Sequence, residues 1–395
     1  MKKILFMVTS MDIGGVEKSL LSLLSEIPKG KYDITLQLLN KKGSFLKYIP
    51  EWIKIEEVTW YKDVQPIIMQ APQQTIKNYY FNKQYTKILP FIAVYFFSKR
   101  FDNRHVYYKE IFKNVAKDKE NYDVAIAYQG PTDIIDFYIA NKVQANKKLA
   151  WIHFDVSQHS INQKLHTKLH KKFHKVFVVS EEARKKLIEK IPSDEHKIEV
   201  FKNIISSESI KEMAQEKEEF DSEFKGTKIV TVGRLSKEKG QDIAIKVLAN
   251  LIKNGYNVRW YCIGDGVDKK AYENLIEEYG LTSEFILLGS KENPYPYIKM
   301  ADIYVQPSRH EGFCLTLAEA RYLQKPIITT DFSGSYEQIT DNYDGFIVRV
   351  DEDELYEKIK FLLNNPGKSN EFTMNLRKIN ANRLNEVSKL YKFIQ

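Results

Sequence analysis

A chain of 395 residues with 43% hydrophobic and 28% charged residues has an ordinary globular composition and is too long for one typical core, so two domains are expected. Its two cysteines, Cys262 and Cys314, lie in separate segments, which argues against a disulfide framework or a zinc site and fits a reducing compartment. The net charge of +8 belongs to the first half: residues 1–200 carry 33 Lys and Arg against 22 Asp and Glu, whereas residues 201–395 carry 27 against 30.

The opening MKKILFMVTSMDIGG has a basic pair and a short apolar run that leads into a glycine turn and a helix pattern. A buried first strand reads that way, and a signal peptide does not, so a cytoplasmic protein is expected. Gly14 and Gly15 follow that strand; they allow backbone to approach a ligand, or serve as a plain turn. YDITLQLL (32–39) is the next strand. From Val64 to Phe101 there is no acidic residue, and Lys77, Lys83, Lys87, Lys99 and Arg100 alternate with Tyr79, Tyr80, Phe81, Tyr85, Phe91, Tyr95, Phe96 and Phe97. Three readings are open: a helical hairpin with a solvated basic face and buried aromatics, a contact for an anionic membrane surface, or a nucleic-acid contact. No nucleic-acid motif accompanies the charge, so no nucleic acid is expected as a partner. ILPFIAVYFF (88–97) is too short to span a bilayer.

YDVAIAYQ (122–129), KLAWIHF (148–154), KVFVVS (175–180) and KIEVFKN (197–203) continue the strand series, with His153 at a strand end. Residues 206–226 turn polar and charged, as a linker with a helical stretch would. The alternation then restarts: KIVTVG (228–233), a helix from Asp242 to Lys253, VRWYCIG (258–264), a helix near 268–279, FILLG (285–289), IYVQPS (303–308), a helix near 315–323, PIITTD (326–331), GFIV (345–348), and a helix from Asp353 to Leu363. That restart predicts an α/β protein of two Rossmann-like doubly wound domains: 1–205, containing the basic and aromatic segment 64–101, and 206–375, with 376–395 as a helix on the outside, packing back on the first domain in one version. In open α/β sheets ligands lie beyond the carboxyl ends of strands, so two such domains facing each other make the cleft between them the natural active site.

Two loops concentrate chemistry. VGRLSKEKG (232–240) sets Arg234 and Lys239 just after a strand, a pair suited to a diphosphate, although surface cations in a solvated loop look the same. HEGFCLTLAE (310–319) places two glutamates eight positions apart. On one continuous helix they would be roughly 80° and about 12 Å apart, too far for an acid/base pair. With Glu311 in a loop and a helix starting near 313–315, the first-turn N–H groups of that helix point at an anion between two carboxylates. IGDGVD (263–268) is a weaker glycine turn, and the D-x-D of Asp351 and Asp353 reads as an N-cap with a first-turn acid, so metal independence is expected.

Together with GGVEKS and LGSKENPYPYIKMADIYVQPS (288–308), the segments GRLSKEKG and EGFCLTLAEA resemble glycosyltransferase family 4, retaining enzymes of the GT-B fold with an E-x7-E element. The resemblance covers nearly the whole chain and is stronger in the second domain. It implies an acceptor-binding first domain and a nucleotide-sugar-binding second one, with a donor that is UDP-linked, a glycan or lipid-linked acceptor, no cofactor beyond the donor, and peripheral attachment at the inner face of the plasma membrane. Arg234 and Lys239 would hold the diphosphate, Glu311 the donor sugar, Gly312, Phe313, Cys314 and Leu315 the phosphate through backbone, and Glu319 the ribose. His153 would border the reacting sugar. Cys314 departs from a position that is often glycine in the family, where a positive φ would be costly for Cys. A nucleotide-sugar epimerase or phosphorylase on the same fold, and a non-catalytic sugar-nucleotide-binding module, are the competing readings.

Overall fold

The computed structural model describes residues 1–395 except 131, 154, 155, 157–160, 218, 219, 381–386 and 395. Parts of the expected strand 148–154, linker 206–226 and terminal segment 376–395 therefore lie outside the described residues. The chain divides into two units, one formed by Met1–Lys202 with Val387–Gln395 and the other by Asn203–Glu386.

The first unit runs β1 (Lys2–Val8), α1 (Gly15–Ser25), β2 (Tyr32–Leu38), β3 (Lys54–Glu57), α2 (Tyr61–Met69), α3 (Pro72–Phe81), α4 (Tyr85–Arg100) and α5 (Arg104–Ile111). It continues through β4 (Asn121–Gly130), α6 (Asp133–Asn141), β5 (Gln144–Ile152), α7 (Gln163–His170), β6 (Lys175–Val178), α8 (Glu181–Lys190) and β7 (Ile198–Val200). The strands order as β3-β2-β1-β4-β5-β6-β7, all parallel. Ile4 to Val8 are fully buried, as a central parallel strand covered on both faces requires. β3, KIEE, escaped the sequence reading because it has one apolar residue; it is an edge strand whose charged side chains discourage further pairing.

The second unit begins with α9 (Ser207–Met213), then β8 (Thr227–Val232), α10 (Gln241–Lys253), β9 (Val258–Ile263), α11 (Lys269–Glu278), β10 (Phe285–Leu287), α12 (Tyr295–Met300) and β11 (Ile303–Gln306). α13 (Leu315–Tyr322), β12 (Ile327–Thr330), α14 (Ser335–Gln338), β13 (Phe346–Val348), α15 (Glu352–Asn364) and α16 (Pro366–Asn380) complete it. Its parallel sheet orders as β10-β9-β8-β11-β12-β13. The segment read as a linker does structural work here: Ile210, Ala214 and Phe220 are buried in this unit's core with Tyr261 and Tyr297. Phe372 and Leu376 of α16 are also fully buried. The last helix, α17 (Val387–Ile394), returns to the first unit, where the Lys2 and Lys147 ammonium groups donate to the carbonyls of Ile394 and Phe393, each at 2.7 Å.

Candidate functional site

In the second sheet the chain winds from β8 outward through β9 to β10, then crosses back to β11 and winds the other way. β8 and β11 are therefore neighbours whose following loops diverge, and the crevice beyond their carboxyl ends is where such sheets receive ligands. Arg234 and Lys239 sit in the loop after β8; Glu311 to Cys314 sit in the loop after β11.

The first loop is fixed by its backbone. The N–H groups of Gly233 and Leu235 donate to the carbonyls of Ile263 and Asp265 at 2.9 and 3.0 Å, and Gln241 Nε2 donates to the Arg234 carbonyl at 2.9 Å. The Arg234 side chain is exposed and, among the described residues, makes no ion pair or side-chain hydrogen bond. Gly240 has φ 73°, and a Cβ there would lie 1.9 Å from the Pro307 carbonyl oxygen, so only glycine lets the two loops touch. They touch extensively. Arg309 and His310 donate their backbone N–H groups to the Glu238 carbonyl at 2.8 and 3.2 Å. The Arg309 guanidinium holds both oxygens of Asp242 at 2.7 Å and the Lys237 carbonyl at 2.7 Å.

This stapling brings Lys239 Nζ to 2.7 Å from Glu311 Oε1, with the two side chains only 18% and 12% exposed. Burial alone would lower the Lys239 pKa, but the adjacent Glu311 carboxylate outweighs it and holds the ammonium above its ordinary value. Glu311 is oriented from behind by a relay: Tyr304 OH donates to Gln306 Oε1 at 2.6 Å, Gln306 Nε2 to Ser308 Oγ at 2.8 Å, and Ser308 Oγ to Glu311 Oε1 at 3.1 Å. Arg309 and this relay were not singled out from sequence; an arginine two residues before Glu311 and polar residues at alternate positions 304, 306 and 308 were the available signals.

Gly312, Phe313 and Cys314 make the bend into α13. Cys314 is its N-cap, with φ 56°, so the costly left-handed conformation is adopted; its Sγ shares a 3.5 Å hydrogen bond with Thr316 Oγ1 but does not cap the N–H groups opening at Leu315. Gln338 Nε2 donates to the Phe313 carbonyl and anchors the bend. Glu319, one turn on, is 2% exposed and accepts from Tyr295 OH at 3.2 Å. Asp351 caps α15, accepting from the N–H groups of Asp353 and Glu354 at 3.0 and 2.9 Å. Among the described residues no cluster of three or more His, Cys, Asp or Glu is placed to hold a metal ion.

The remaining sequence candidates lie in the first unit. Gly14 is the extended N-cap of α1 and Gly15 its first residue; a Cβ on Gly14 would meet the Glu17 carboxylate at 2.3 Å. His153 follows β5, its ring 4.6 Å from that of Tyr128 and stacked at 6.1 Å on Trp151. Tyr128 in turn shares a 2.9 Å hydrogen bond with Ser19 on α1. Burial drives the His153 pKa down to about 3, and its Nε2 is shielded from solvent with no hydrogen-bond partner among the described residues, so the imidazole is neutral.

The two-domain α/β fold is that of solved GT-B structures. HepE of Anabaena in complex with UDP-glucose superposes with a TM-score of 0.68 over 100% of this chain and 98% of its own, at 17% identity. A TarM variant of S. aureus, in complex with Fondaparinux, alpha-GlcNAc-glycerol and UDP, gives 0.71 over 100% and 99%, at 16% identity. Residues 212–379, most of the second unit, match the family model described as Glycosyl transferases group 1. Among curated proteins, the N-acetylgalactosamine-N,N'-diacetylbacillosaminyl-diphospho-undecaprenol 4-alpha-N-acetylgalactosaminyltransferase of Campylobacter jejuni is 31% identical over 179 residues, 45% of this chain and 47% of that protein. The capsular polysaccharide biosynthesis glycosyltransferase CapM of Staphylococcus aureus is 30% identical over 139 residues, 34% and 36% respectively. These matches span less than half the length of either relative.

Proposed function

We propose that this chain is a retaining, metal-independent glycosyltransferase that moves a sugar from a UDP-linked donor to a glycan or lipid-linked acceptor in surface polysaccharide or glycoconjugate synthesis, working at the cytoplasmic face of a membrane. The observation that carries the reading is the Lys239–Glu311 pair at the β8/β11 crevice, with the start of α13 lacking a side-chain cap and Arg234 making no ion pair among the described residues. Breaking an anomeric C–O bond leaves positive charge on the sugar and negative charge on the departing diphosphate. Arg234, Lys239 and the first-turn N–H groups of α13 form an anion site fixed before the substrate arrives, and such preorganisation is what lowers a charge-separating barrier. Glu311, held by Ser308 and Lys239, presents its other oxygen to donor-sugar hydroxyls. Glu319 is assigned to the ribose, and neutral His153 to the border of the reacting sugar, as a hydrogen-bonding group rather than a cation. The curated relatives support the acceptor class: one carries a diphospho-undecaprenol substrate in its name and the other is a capsular polysaccharide enzyme. UDP in the complexes of HepE and TarM supports the donor class.

A panel of nucleotide sugars incubated with and without glycan and undecaprenyl-diphosphate-linked acceptors tests this. Sugar transfer that needs an acceptor and survives EDTA is expected, and Glu311→Ala is expected to lose it. Turnover of the nucleotide sugar without acceptor would instead identify an epimerase, and phosphate-dependent cleavage a phosphorylase.

A further inference from the structure

The hairpin of α3 and α4 carries an apolar face that nothing in the first unit covers. α4 reads YTKILPFIAVYFFSKR, apolar around most of its circumference, yet only Phe91 and Ser98 of its 16 residues are buried. A helix of that composition normally lies in a core or against lipid. At 100° per residue, Tyr85, Leu89 and Phe96 fall within about 60° of one another and on the side opposite Phe91. They are 54%, 77% and 64% exposed. Phe81, at the end of α3, adds to this surface, with Tyr80 in ring contact with both Phe81 at 6.0 Å and Tyr85 at 5.5 Å; Phe97 and Phe101, in ring contact at 4.7 Å, are exposed on an adjoining side. The hairpin's inner aromatics are accounted for: Phe91 and Tyr79 pack edge to face at 5.8 Å and wall a cavity of about 1230 Å³. The expectation that the aromatics of this segment are buried thus holds for the inner face and fails for the outer one.

Around the outer face lie Lys77, Lys83, Lys99 and Arg100, all exposed, and none makes an ion pair among the described residues; Lys87 faces the cavity, its Nζ 5.8 Å from the Tyr79 ring. No Asp or Glu occurs between 64 and 101. We infer that this face docks on an anionic lipid bilayer, with Phe81, Leu89 and Phe96 entering the headgroup and acyl boundary while the surrounding cations meet lipid phosphates. Charge selects that occupant. A second copy would bring the same cations against each other across a two-fold contact, and an uncharged partner would leave them unused. The inference deepens the proposed function by naming the surface from which a lipid-linked acceptor is met, and rests on that reading for this purpose only.

The test is co-sedimentation of the full chain with vesicles of phosphatidylcholine alone or mixed with phosphatidylglycerol, in the absence of donor and acceptor. Binding to the anionic vesicles, little to the neutral ones, and loss in high salt are expected. Replacing Lys83, Lys99 and Arg100 by Gln should weaken binding roughly a hundredfold. Leu89→Asp with Phe96→Asp should abolish it, while the melting temperature and transfer to a water-soluble acceptor stay at wild-type values. Equal binding to both vesicle types, wild-type binding by the Asp variant, self-association lost in that variant, or binding to a single-stranded oligonucleotide without vesicle binding would each overturn the inference. Failure here leaves transfer to a soluble acceptor intact, so it is distinguishable from failure of the catalytic reading.

Discussion

The two units are built on the same doubly wound plan but place their charge differently. In the second unit two ion pairs, the mostly buried Lys239–Glu311 and the partly exposed Arg309–Asp242, tie together the loops at the strand switch. In the first unit the group at the strand end is a neutral histidine among aromatic rings, and the buried charges lie between helices: His166 Nε2 is 3.0 Å from Asp133 and its Nδ1 3.8 Å from Asp136, while His170 Nδ1 is 2.7 Å from Asp194. The difference shows that a shared fold does not fix where electrostatic work is done. One unit sets its charged pairs between the two loops at its strand switch, the other between α6, α7 and the turn after α8.

The strongest way to break this comparison is at Glu311. Glu311→Ala strands Lys239 in a mostly buried position, and removing one partner of such a pair costs about 3 kcal/mol of stability. Transfer should fall by roughly two to three orders of magnitude as well. Denaturant melts and initial rates of the purified variant check both; a variant as active as wild type removes Glu311 from the mechanism.

A comparable effect is expected in the first unit, with pH as its signature. Burial first, and the neighbouring Asp133 charge after it, raise the Asp136 carboxyl to about 7 against an opposing pull from His166. The fold therefore keeps a proton that the unfolded chain has released, and stability falls as pH rises from about 4 to about 7, by an amount on the order of a few kcal/mol. Asp136→Asn should flatten that fall, so its stability relative to wild type improves between pH 4 and pH 8 in urea titrations. A parallel pair of curves would show that Asp136 does not titrate in this window.

Arg309→Gln sharpens the contrast at smaller cost. Its ion pair with Asp242 is partly exposed, so the stability loss should be about 1 kcal/mol. Because Arg309 also fixes the Lys237 carbonyl, the Lys239–Glu311 geometry should loosen and kcat/KM should drop about tenfold. A loss of stability with unchanged kinetics would make Arg309 merely structural. Least of all, Cys314→Gly relieves about 1 kcal/mol of left-handed strain and forfeits a similar amount of buried contact, so its melting temperature should stay within a few degrees of wild type.

Much of the second unit was legible because its strands are short apolar runs bounded by turn residues, and because each candidate residue follows a strand. GRLSKEKG and HEGFCLTLAE lie where the β8 and β11 loops bring Lys239 against Glu311. Arg309 was not legible: its role comes from bonds to Asp242 and Lys237, 67 and 72 positions away, which local spacing cannot reveal. β3 was hidden by its charge; a helical stretch within 206–226 was legible, but the burial of Ile210 in the core was not. The hairpin 64–101 was legible as basic and aromatic, but which rings face outward depends on packing against α5, which the sequence pattern does not encode.

The central claim is that the β8/β11 crevice is a diphosphate site, and Arg234 isolates it because its exposed side chain makes no ion pair or side-chain hydrogen bond among the described residues. Isothermal titration of UDP and uridine into wild type and Arg234→Ala is the direct measurement. Wild type should favour UDP over uridine by at least about tenfold, and the variant should lose most of that preference with an unchanged melting temperature. Equal affinity for UDP and uridine in wild type, or an undiminished preference in the variant, would contradict it.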